Sequence, residues 1–374
     1  MNTTSNLSKV LSNIPANASE AVIALNFASF LLNALGFEDQ EIYPQYPDGN
    51  GKLVDRAARK TIGDDIFLFT KSNPYFLLEL KGKDINLAQG SSQYHSTVKQ
   101  LKQYLLAPNC RQAQWGMITN STHIQLFRRH GKVIFPASEC INLEEGNIDK
   151  IIANFRRQIE KPHQALTITV YNNKGGVGKT TTSVNMAAAL TLKRKKVLVI
   201  DFDPNQQDLT TSLGLPLSQG NVFEALTKKD VSLEKSIQTY SFKFKGNGLK
   251  VHFDVIPADK ILAETGDKDL YQNSYQLGSQ ILSEKLLPFK NKYDYIIIDA
   301  PPNWRFFSKL AVYAGDVILI PTKHNNLFSI ENAVTAITKF IPEMQKEKKN
   351  GTPMALPIFF NGEKTTVLAL RGRQ

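Results

Sequence analysis

A glycine-rich segment between an apolar run and a helical pattern constrains this 374-residue chain more than any other feature. The run LTITVY (166–171) leads directly into NNKGGVGKTT (172–181), and a helical pattern continues to Leu192. Glycines let a backbone wrap closely around a phosphate, and the N–H groups at a helix amino terminus attract its charge. The strand, loop and helix in this order predict a phosphate-binding loop on an α/β sheet.

The loop departs at one position from the pattern GxxxxGK[ST]. That pattern places a glycine six residues before the lysine, where this chain has Asn173, and glycines stand at 175 and 176 instead. The groups that carry the chemistry are still present. Lys179 is placed to reach terminal phosphates, and the hydroxyl of Thr180 is an oxygen ligand of the type that Mg²⁺ accepts.

Apolar runs and helical patterns alternate after residue 166, which is typical of an α/β, doubly wound, mostly parallel sheet. The later runs are VLVID (197–201), VHFDVIP (251–257), YIIID (295–299) and DVILIP (316–321), with helical patterns over 276–287 and 331–341. In such sheets, ligands bind where the carboxyl ends of the strands open onto loops.

The first 160 residues have a different pattern, a smaller mixed α/β arrangement with short strands. Helical spacing covers 19–37, a region around 97–106 and 148–160, and a hairpin is predicted from 115–119 and 124–128. The last helix is followed by the sequence KPH, and proline disfavours helix at and before its position. We therefore predict two domains, residues 1–160 and 161–374.

Composition and charge narrow the class of protein. The net charge of +11 favours polyanionic partners such as nucleic acid. No apolar stretch reaches the roughly 20 residues that a membrane-spanning helix needs. The first residues lack the order of a secretion signal, and two cysteines are too few for a disulfide scaffold. We expect a cytoplasmic protein with no membrane partner.

Three motifs, in order, resemble the ParA/MinD family of partitioning ATPases over about residue 165 to the end of the chain. KGGVGKTT (174–181) resembles the deviant Walker A loop of that family. VLVIDFDPN (197–205) resembles its second motif, a strand ending in D-x-D-P. YDYIIIDAPP (293–302) resembles its Walker B strand followed by two prolines. The resemblance implies ATP and Mg²⁺ as cofactors.

Carried over position by position, the resemblance assigns roles to single residues. Lys179 holds the β- and γ-phosphates, and Lys174 is the signature lysine that reaches the nucleotide of the partner subunit in an ATP-sandwiched dimer. Asp203 positions the attacking water. The other positions are Gly175, Gly176, Val177, Gly178, Thr180 and Thr181 for the nucleotide, and Thr180, Asp201 and Asp299 for Mg²⁺.

The function that the resemblance implies is a switch that forms a homodimer on ATP and binds DNA without sequence preference. It would segregate a plasmid or chromosome with a centromere-binding, ParB-like partner, in the cytoplasm on the nucleoid or plasmid.

The sequence departs from the family pattern in two places. DFDPNQQDLT (201–210) is one residue longer than the family pattern, with Asn205 in place of glutamine. The chain also ends soon after MALPIFF (354–360), so a naturally short form and a truncated product both stay open.

The first domain carries a weaker pattern, in which a strand ends in E-x-K. Glu79 and Lys81 provide that pattern, Asp55 precedes them, and Gln100 and Tyr104 follow at a Q-x-x-x-Y spacing. This order is similar to the restriction-endonuclease-like domain of type I restriction subunits and to PD-(D/E)xK nucleases. The resemblance implies two carboxylates that hold Mg²⁺, a lysine that stabilises charge on the phosphorus centre, and a helix face for backbone phosphate.

Several alternatives stay open for this domain. Asp64 or Asp65 can pair with Glu79 instead of Asp55, whose arginine neighbours are also typical of a salt-bridged surface loop. The domain can cleave DNA, bind it without cleavage, or serve as a structural docking unit. For the whole chain, the alternatives to partitioning are an ATP-gated nuclease in DNA defence and an ATP-driven positioning adaptor.

Three basic stretches complete the candidate features. TLKRKK (191–196) and KEKK (346–349) are typical of solvated helix ends, where lysines favour the carboxyl terminus. Lys243, Lys245 and Lys250 flank a segment that is predicted to be irregular, and DNA contact is an alternative there.

Overall fold

The chain divides into two compact units, residues 1–162 and 163–374. The computed structural model describes residues 7–243, 248, 250–265, 278–323 and 326–361. Lys245 and the chain beyond 361 lie outside these described residues. Each unit has its own sheet and its own buried core.

The sheet of the first unit follows the order β1-β2-β3-β4-β5-β6, with β7 beside β5. Its strands are Ile42–Pro47 (β1), Leu53–Ala58 (β2), Phe76–Leu80 (β3), Trp115–Thr119 (β4), His123–His130 (β5), Val133–Pro136 (β6) and Ile141–Asn142 (β7). The predicted hairpin is present as β4 and β5. β3 and β4 run parallel because a helix returns the chain between them, and the other neighbouring strands are antiparallel.

Helices cover both faces of this sheet, because apolar side chains alternate along its strands. On β3, Leu78 faces one core and Leu77 faces the other. The helical pattern over 19–37 is two helices that meet at Phe27, and the helix predicted to connect the domains buries Phe155 in the first core. The helices are Leu7–Ser12, Glu20–Asn26, Ala28–Ala34, Phe67–Thr70, Ser92–Leu106 and Ile148–Glu160.

The sheet of the second unit has the order β10-β11-β9-β12-β8-β13-β15. Its strands are Leu166–Val170 (β8), Val197–Asp201 (β9), Gln238–Lys243 (β10), Lys250–Ile256 (β11), Tyr295–Asp299 (β12), Val317–Leu319 (β13) and Met354–Ala355 (β15). Pro321–Thr322 (β14) and Phe359–Phe360 (β16) form a separate pair. All neighbours in the main sheet run parallel except β10 and β11, which confirms the predicted doubly wound, mostly parallel α/β fold.

Of the segment predicted to be irregular, its two ends are ordered strands at the edge of the sheet, whereas residues 244–247 and 249 between them lie outside the described residues. Lys243 ends β10 directly opposite Lys250, which begins β11. Tyr240 and Phe242 pack against Phe253, tilted and edge-on respectively, with ring centroids 5.3 and 6.2 Å away. These aromatic side chains alternate with exposed polar ones along β10, which is the strand signal that the lysines obscured.

Helices also cover both faces of the second sheet. On β12, Ile298 faces the larger core and Ile297 faces the smaller one, which explains why the parallel strands are continuous apolar runs. A π-helical turn, Ala336–Phe340, joins the last two helices into one. The helices are Lys179–Leu192, Asp208–Ser212, Asn221–Thr227, Ile281–Leu286, Phe306–Ala314, Leu327–Thr335 and Ile341–Lys348, and residues 260–265 are also helical.

Asp259 is a buried carboxylate that holds the first turns of two helical segments. Its Oδ2 accepts from the Ser218 hydroxyl at 2.7 Å and from the N–H groups of Gly220 and Val222 at 3.1 and 2.9 Å. Its Oδ1 accepts from the Ile261 N–H at 2.9 Å. The carboxylate is 1% exposed, so these donors have no water to replace it.

Replacing Asp259 by alanine should destabilise the second unit more than a typical substitution does. Asp259→Ala leaves several buried N–H groups without an acceptor, and we expect a loss of about 3 kcal/mol in the free energy of unfolding. The exposed Asp230 is the control, and Asp230→Ala should stay within about 0.5 kcal/mol. Urea denaturation followed by tryptophan fluorescence measures both, in a Trp115→Phe background where Trp304 of the second unit is the reporter. Equal midpoints for the two variants would contradict the capping role.

Candidate functional site

The loop between β8 and the helix Lys179–Leu192 turns at Gly176 and Gly178. Both have positive φ angles, 74° and 86°, a left-handed conformation that residues with side chains rarely adopt. A Cβ atom at Gly178 would also collide with the carboxamide of Asn361. Glycine is therefore needed at position 178 for both its conformation and its space.

Lys179 is buried at the start of this helix, and its ammonium group bonds to the loop itself. Its Nζ donates to the carbonyl oxygen of Lys174 at 3.1 Å. Burial lowers the pKa of Lys179, although the carboxylates of Asp299 and Asp203 oppose that shift. The side chain of Lys174 is half-buried and forms no ion pair with the described residues. The ammonium of Lys179 thus has one neutral acceptor, which a phosphate oxygen can replace.

Asp299 ends β12 beside the loop helix and accepts hydrogen bonds from two of its hydroxyl groups. Thr180 Oγ1 donates to Oδ2 at 2.7 Å, and Ser183 Oγ donates to Oδ1 at 3.1 Å. Burial, followed by the nearby charge of Asp201, raises the pKa of Asp299 to about 7. The predicted pair Thr180 and Asp299 therefore lies together, and it presents oxygen atoms of the type that Mg²⁺ prefers.

Asp201 and Asp203 follow one another on β9 and the turn after it, but they bind different groups. Asp201 Oδ2 accepts from the N–H and the hydroxyl of Thr210 at 2.8 and 2.7 Å, and burial raises its pKa to about 6. Asp203 Oδ1 accepts from the N–H groups of Asn205 and Gln206 at 3.2 and 3.1 Å, and burial raises its pKa as well. Asp201 therefore holds the segment around Thr210 against the end of β9.

These groups surround a cavity of about 240 Å³ at the carboxyl ends of the parallel strands. Its lining comprises Gly176, Gly178, Lys179, Thr180, Thr181, Asp203, Gln206, Asp208, Asp299 and Ala300. Of the predicted site residues, Lys174, Gly175, Val177 and Asp201 lie around the cavity without lining it. Gln206 and Asp208 were missed, because they lie in the segment where the sequence departs from its motif.

Two asparagines, to which the motifs assigned no role, tie the loop to its surroundings. Asn172 is fully buried, and its Nδ2 donates to the carbonyl oxygens of Pro321 and Ser329 at 2.9 and 3.2 Å. The Nδ2 of Asn361 donates to the carbonyl oxygen of Gly178 at 3.2 Å. The asparagine before the glycines was a visible signal for the first contact, whereas nothing in the sequence indicated the second.

A second cluster of charged groups lies in the first unit, where β2 and β3 pair. Asp55 is on β2, and its Oδ2 accepts from the N–H of Leu80 at 2.7 Å. Glu79 on β3 is 1% exposed, and its Oε1 accepts from Lys81 Nζ at 2.5 Å. Lys81 also lies 3.4 Å from a carboxylate oxygen of Glu20. Glu20 was missed, because it belongs to a helix far upstream in the chain.

Glu79 is the most strongly perturbed group of this cluster. Burial, with the charge of Asp55, raises its pKa to about 7. Its Oε2 is buried and has no hydrogen-bond partner among the described residues. Such an oxygen is costly unless a proton, a cation or a ligand meets it. Burial by itself would lower the pKa of Lys81, but Glu79 and the other carboxylates outweigh it and raise that pKa overall.

The other predicted residues of the first domain are also placed. Gln100 Nε2 donates to the hydroxyl of Tyr104 at 3.0 Å, so the two share one helix face. Asp65 bonds Arg59 at 2.8 Å instead of joining the cluster. Asp55 is buried on a strand, so the interpretation as a salt-bridged surface loop was wrong.

Metal-ligand clusters and membrane helices are both absent from the part of the chain that the structure describes. No group of three or more His, Cys, Asp or Glu residues there could hold a metal ion. No helix of the described residues is long and apolar enough to cross a membrane.

A glycine-rich loop between a buried strand and a helix, with a buried lysine and a strand-end carboxylate bonded to the helix threonine, defines a P-loop nucleotide-binding domain. Residues 165–353 match the family described as AAA domain. The chain belongs to this family, on its ParA/MinD-like side among the P-loop ATPases.

Three relatives illustrate this membership. The chain is 32% identical over 156 residues to the chromosome partitioning protein ParA of Myxococcus xanthus, covering 41% of this chain and 50% of that protein. It is 34% identical over 160 residues to the maintenance of carboxysome distribution protein A of Synechococcus elongatus, covering 42% and 58%. It is 35% identical over 158 residues to the sporulation initiation inhibitor protein Soj of Bacillus subtilis, covering 42% and 57%. The chain thus spans a little over half the length of these relatives.

The raised pKa of Asp299 predicts that the ligand-free protein loses stability as the pH rises. Its carboxyl ionises near pH 7 when folded but near its ordinary value of 3.8 when unfolded, so the folded state binds the proton more tightly across that interval. Stability therefore falls from about pH 4 to about pH 7 and then levels off. In Asp299→Asn this ionisation is removed, and the free energy of unfolding should fall less over that range.

Urea denaturation at about pH 5 and about pH 8 measures this difference, followed by tryptophan fluorescence in a Trp115→Phe background where Trp304 is the reporter. Asp230→Asn, at an exposed position, is the control and should keep the wild-type response. A wild-type response in Asp299→Asn would mean that Asp299 does not ionise in this interval.

Proposed function

We propose that the second unit is an Mg·ATP-dependent switch that dimerises on ATP, binds DNA without sequence preference and acts in plasmid or chromosome partitioning. The observation that carries the proposal is the contact of Thr180 with Asp299 beside the buried Lys179. The match to the AAA domain family supports it, as do relatives named for chromosome partitioning. The cavity volume of about 240 Å³ is large enough for a phosphate chain but smaller than a whole nucleotide, so the base lies outside it.

Each residue has a distinct task in this proposal. Bound ATP supplies the phosphoryl group, and Mg²⁺ supplies the charge that neutralises it. Lys179 would exchange its bond to a backbone carbonyl for phosphate oxygens, and Thr180 would offer its hydroxyl oxygen to the metal while its hydrogen donates to Asp299. Asp203 bonds two backbone N–H groups through Oδ1, which leaves Oδ2 to accept a hydrogen bond from the attacking water. These tasks are positioning and charge compensation, which is what phosphoryl transfer requires.

Lys174 connects the nucleotide to the dimer. It stands five residues before Lys179, and its side chain is half-buried without an ion pair among the described residues. In the proposed dimer this ammonium reaches the nucleotide of the partner subunit, as the deviant Walker A resemblance implies. A ParB-like partner, which binds the centromere, would then stimulate hydrolysis on the nucleoid or plasmid in the cytoplasm.

Two substitutions in the cavity should separate nucleotide binding from hydrolysis. Lys179→Ala removes the cation that faces the phosphates, so ATP binding should fall by at least about 100-fold. Asp203→Ala keeps that cation, so binding and ATP-dependent dimerisation should persist while turnover falls by at least about tenfold. Calorimetry, light scattering and phosphate release measure these quantities. Native ATP affinity in Lys179→Ala would refute the assignment of the site.

A second candidate activity, metal-dependent DNA cleavage by the first unit, is favoured by the buried, unpartnered Oε2 of Glu79. The charge of Asp55 is one cause of the raised pKa of Glu79, after burial, so the two carboxyl groups are neighbours. A divalent cation between the two would satisfy both, with water or phosphate oxygens completing its shell. Lys81 would then leave Glu79 to face the phosphate. This restriction-endonuclease-like activity would make the protein an ATP-gated nuclease in DNA defence.

Incubation with supercoiled plasmid and Mg²⁺ or Mn²⁺, with and without ATP, tests this activity. We expect nicking by the wild-type protein and at least a tenfold loss in Lys81→Ala, because the lysine stabilises the charge that develops at phosphorus. Lys83→Ala, in the same loop but outside the cluster, is the control and should nick normally. Intact plasmid under every condition, from folded protein, would leave the first unit as a binding module.

A further inference from the structure

A basic groove lies on the second unit, away from the nucleotide cavity. It is an open cavity of about 450 Å³, and its cations are Arg194, Lys195, Lys196, Lys250 and Lys292. They come from three places in the chain, namely the loop before β9, the start of β11 and the turn before β12. The floor is formed by buried side chains, among them Val197 and Phe253.

The groove lies at the end of the parallel strands where β9 begins, whereas the nucleotide cavity lies at their carboxyl ends. β9 begins at Val197, which lines the groove, and it ends at Asp201, beside the nucleotide cavity. A five-residue strand separates its ends by about 13 Å. No residue lines both cavities. A dimer that forms across the P-loops would therefore leave the basic groove of each subunit uncovered by its partner.

The positive charge of the groove is largely uncompensated within the described residues. Of the five cations, only Lys292 has an ion pair there, with Glu234 at 2.7 Å. Asp254 is the one carboxylate among the described residues of the lining, and neutral hydroxyl donors already bond to it. Its oxygens accept from the hydroxyl of Thr239 at 2.7 Å and from that of Tyr293 at 2.8 Å.

Stability of the fold does not account for this charge. Lysines near the end of the helix Lys179–Leu192 gain from the helix dipole, but Lys250 and Lys292 belong to other elements. Lys250 also stands directly opposite Lys243 in the antiparallel pair, and like charges in such positions destabilise a sheet. The pairing also extends the row of cations beyond the groove, along the edge hairpin.

We propose that the basic groove binds the phosphate backbone of duplex DNA. This inference rests on the proposed function, because it assigns a surface to the DNA binding proposed above. Arg194, Lys195, Lys196 and Lys250 are all exposed, so the charges stand at the rim while the floor is apolar. A site for a small phosphorylated ligand would instead place polar groups in its floor to orient the ligand. Rim cations from several elements suit a backbone that passes across the surface.

Two variants that remove equal charge test the proposal. The groove variant is Lys195→Gln/Lys196→Gln/Lys250→Gln, and the control is Lys235→Gln/Lys339→Gln/Lys346→Gln, at exposed positions outside the groove. Fluorescence anisotropy with a random-sequence duplex, in Mg·ATP and over a range of salt, measures affinity and its salt dependence. ATP hydrolysis without DNA is measured in parallel.

We expect the groove variant to bind DNA at least about tenfold more weakly and to lower the slope of log K against log salt by about 3, one for each phosphate contact. The control should lose less than about threefold, and both variants should hydrolyse ATP at the wild-type rate. Equal DNA affinity in the two variants would overturn the assignment of the groove alone. Failure of the wild-type protein to bind DNA would overturn the proposed DNA binding itself.

Discussion

The buried carboxylate of Asp299 organises the second unit around its loop. It closes the central strand of a sheet that is covered on both faces, and it binds Thr180 and Ser183 on the first turns of the helix that follows the loop. Strand β12 pairs with β8, which leads into the loop, and with β9, which ends at Asp201. The bonds from Asp299 to the loop helix therefore join that helix to the centre of the sheet. The same carboxylate bears the cost of desolvation, seen in its raised pKa. The fold thus holds a buried carboxyl group at the place where Mg²⁺ is expected to bind.

The sequence was sufficient for most of the second unit, because its signals are local and follow one another in order. A loop such as NNKGGVGKTT has few conformations that suit its glycines, and long apolar runs are typical of strands covered on both faces. What it did not reveal depends on contacts distant in the chain. Asn361 bonds to Gly178, which is 183 residues earlier in the sequence. Asp259 caps one helical segment that precedes it in the chain and one that follows it. The strand β10 was missed although its side chains alternate between half-buried and exposed, because the lysine at its end and those beyond it suggested an irregular segment.

In the first unit, by contrast, most of the candidate site depends on strand pairing and only a small part on local sequence signals. Its E-x-K pattern identified Glu79 and Lys81, but no local signal could select the neighbouring carboxylate, since that choice depends on which strands pair. The antiparallel pairing of β2 with β3 brings Asp55 to this place, whereas Asp65 is held by Arg59. Whether the cluster holds a metal depends on electrostatics that a motif does not encode. The unpartnered oxygen of Glu79 carries that information.

The single hydrogen bond from Lys179 to the carbonyl of Lys174 has a consequence for timing. In the structure, the ammonium of Lys179 has its acceptor within the loop itself. Arrival of a phosphate is an exchange of partners, and the free energy gained is the difference between two bonds. In the function proposed above, that exchange would release the backbone of Lys174, the residue proposed to reach the nucleotide of the partner subunit. Under that proposal, one hydrogen bond couples the release of Lys174 to the binding of phosphate.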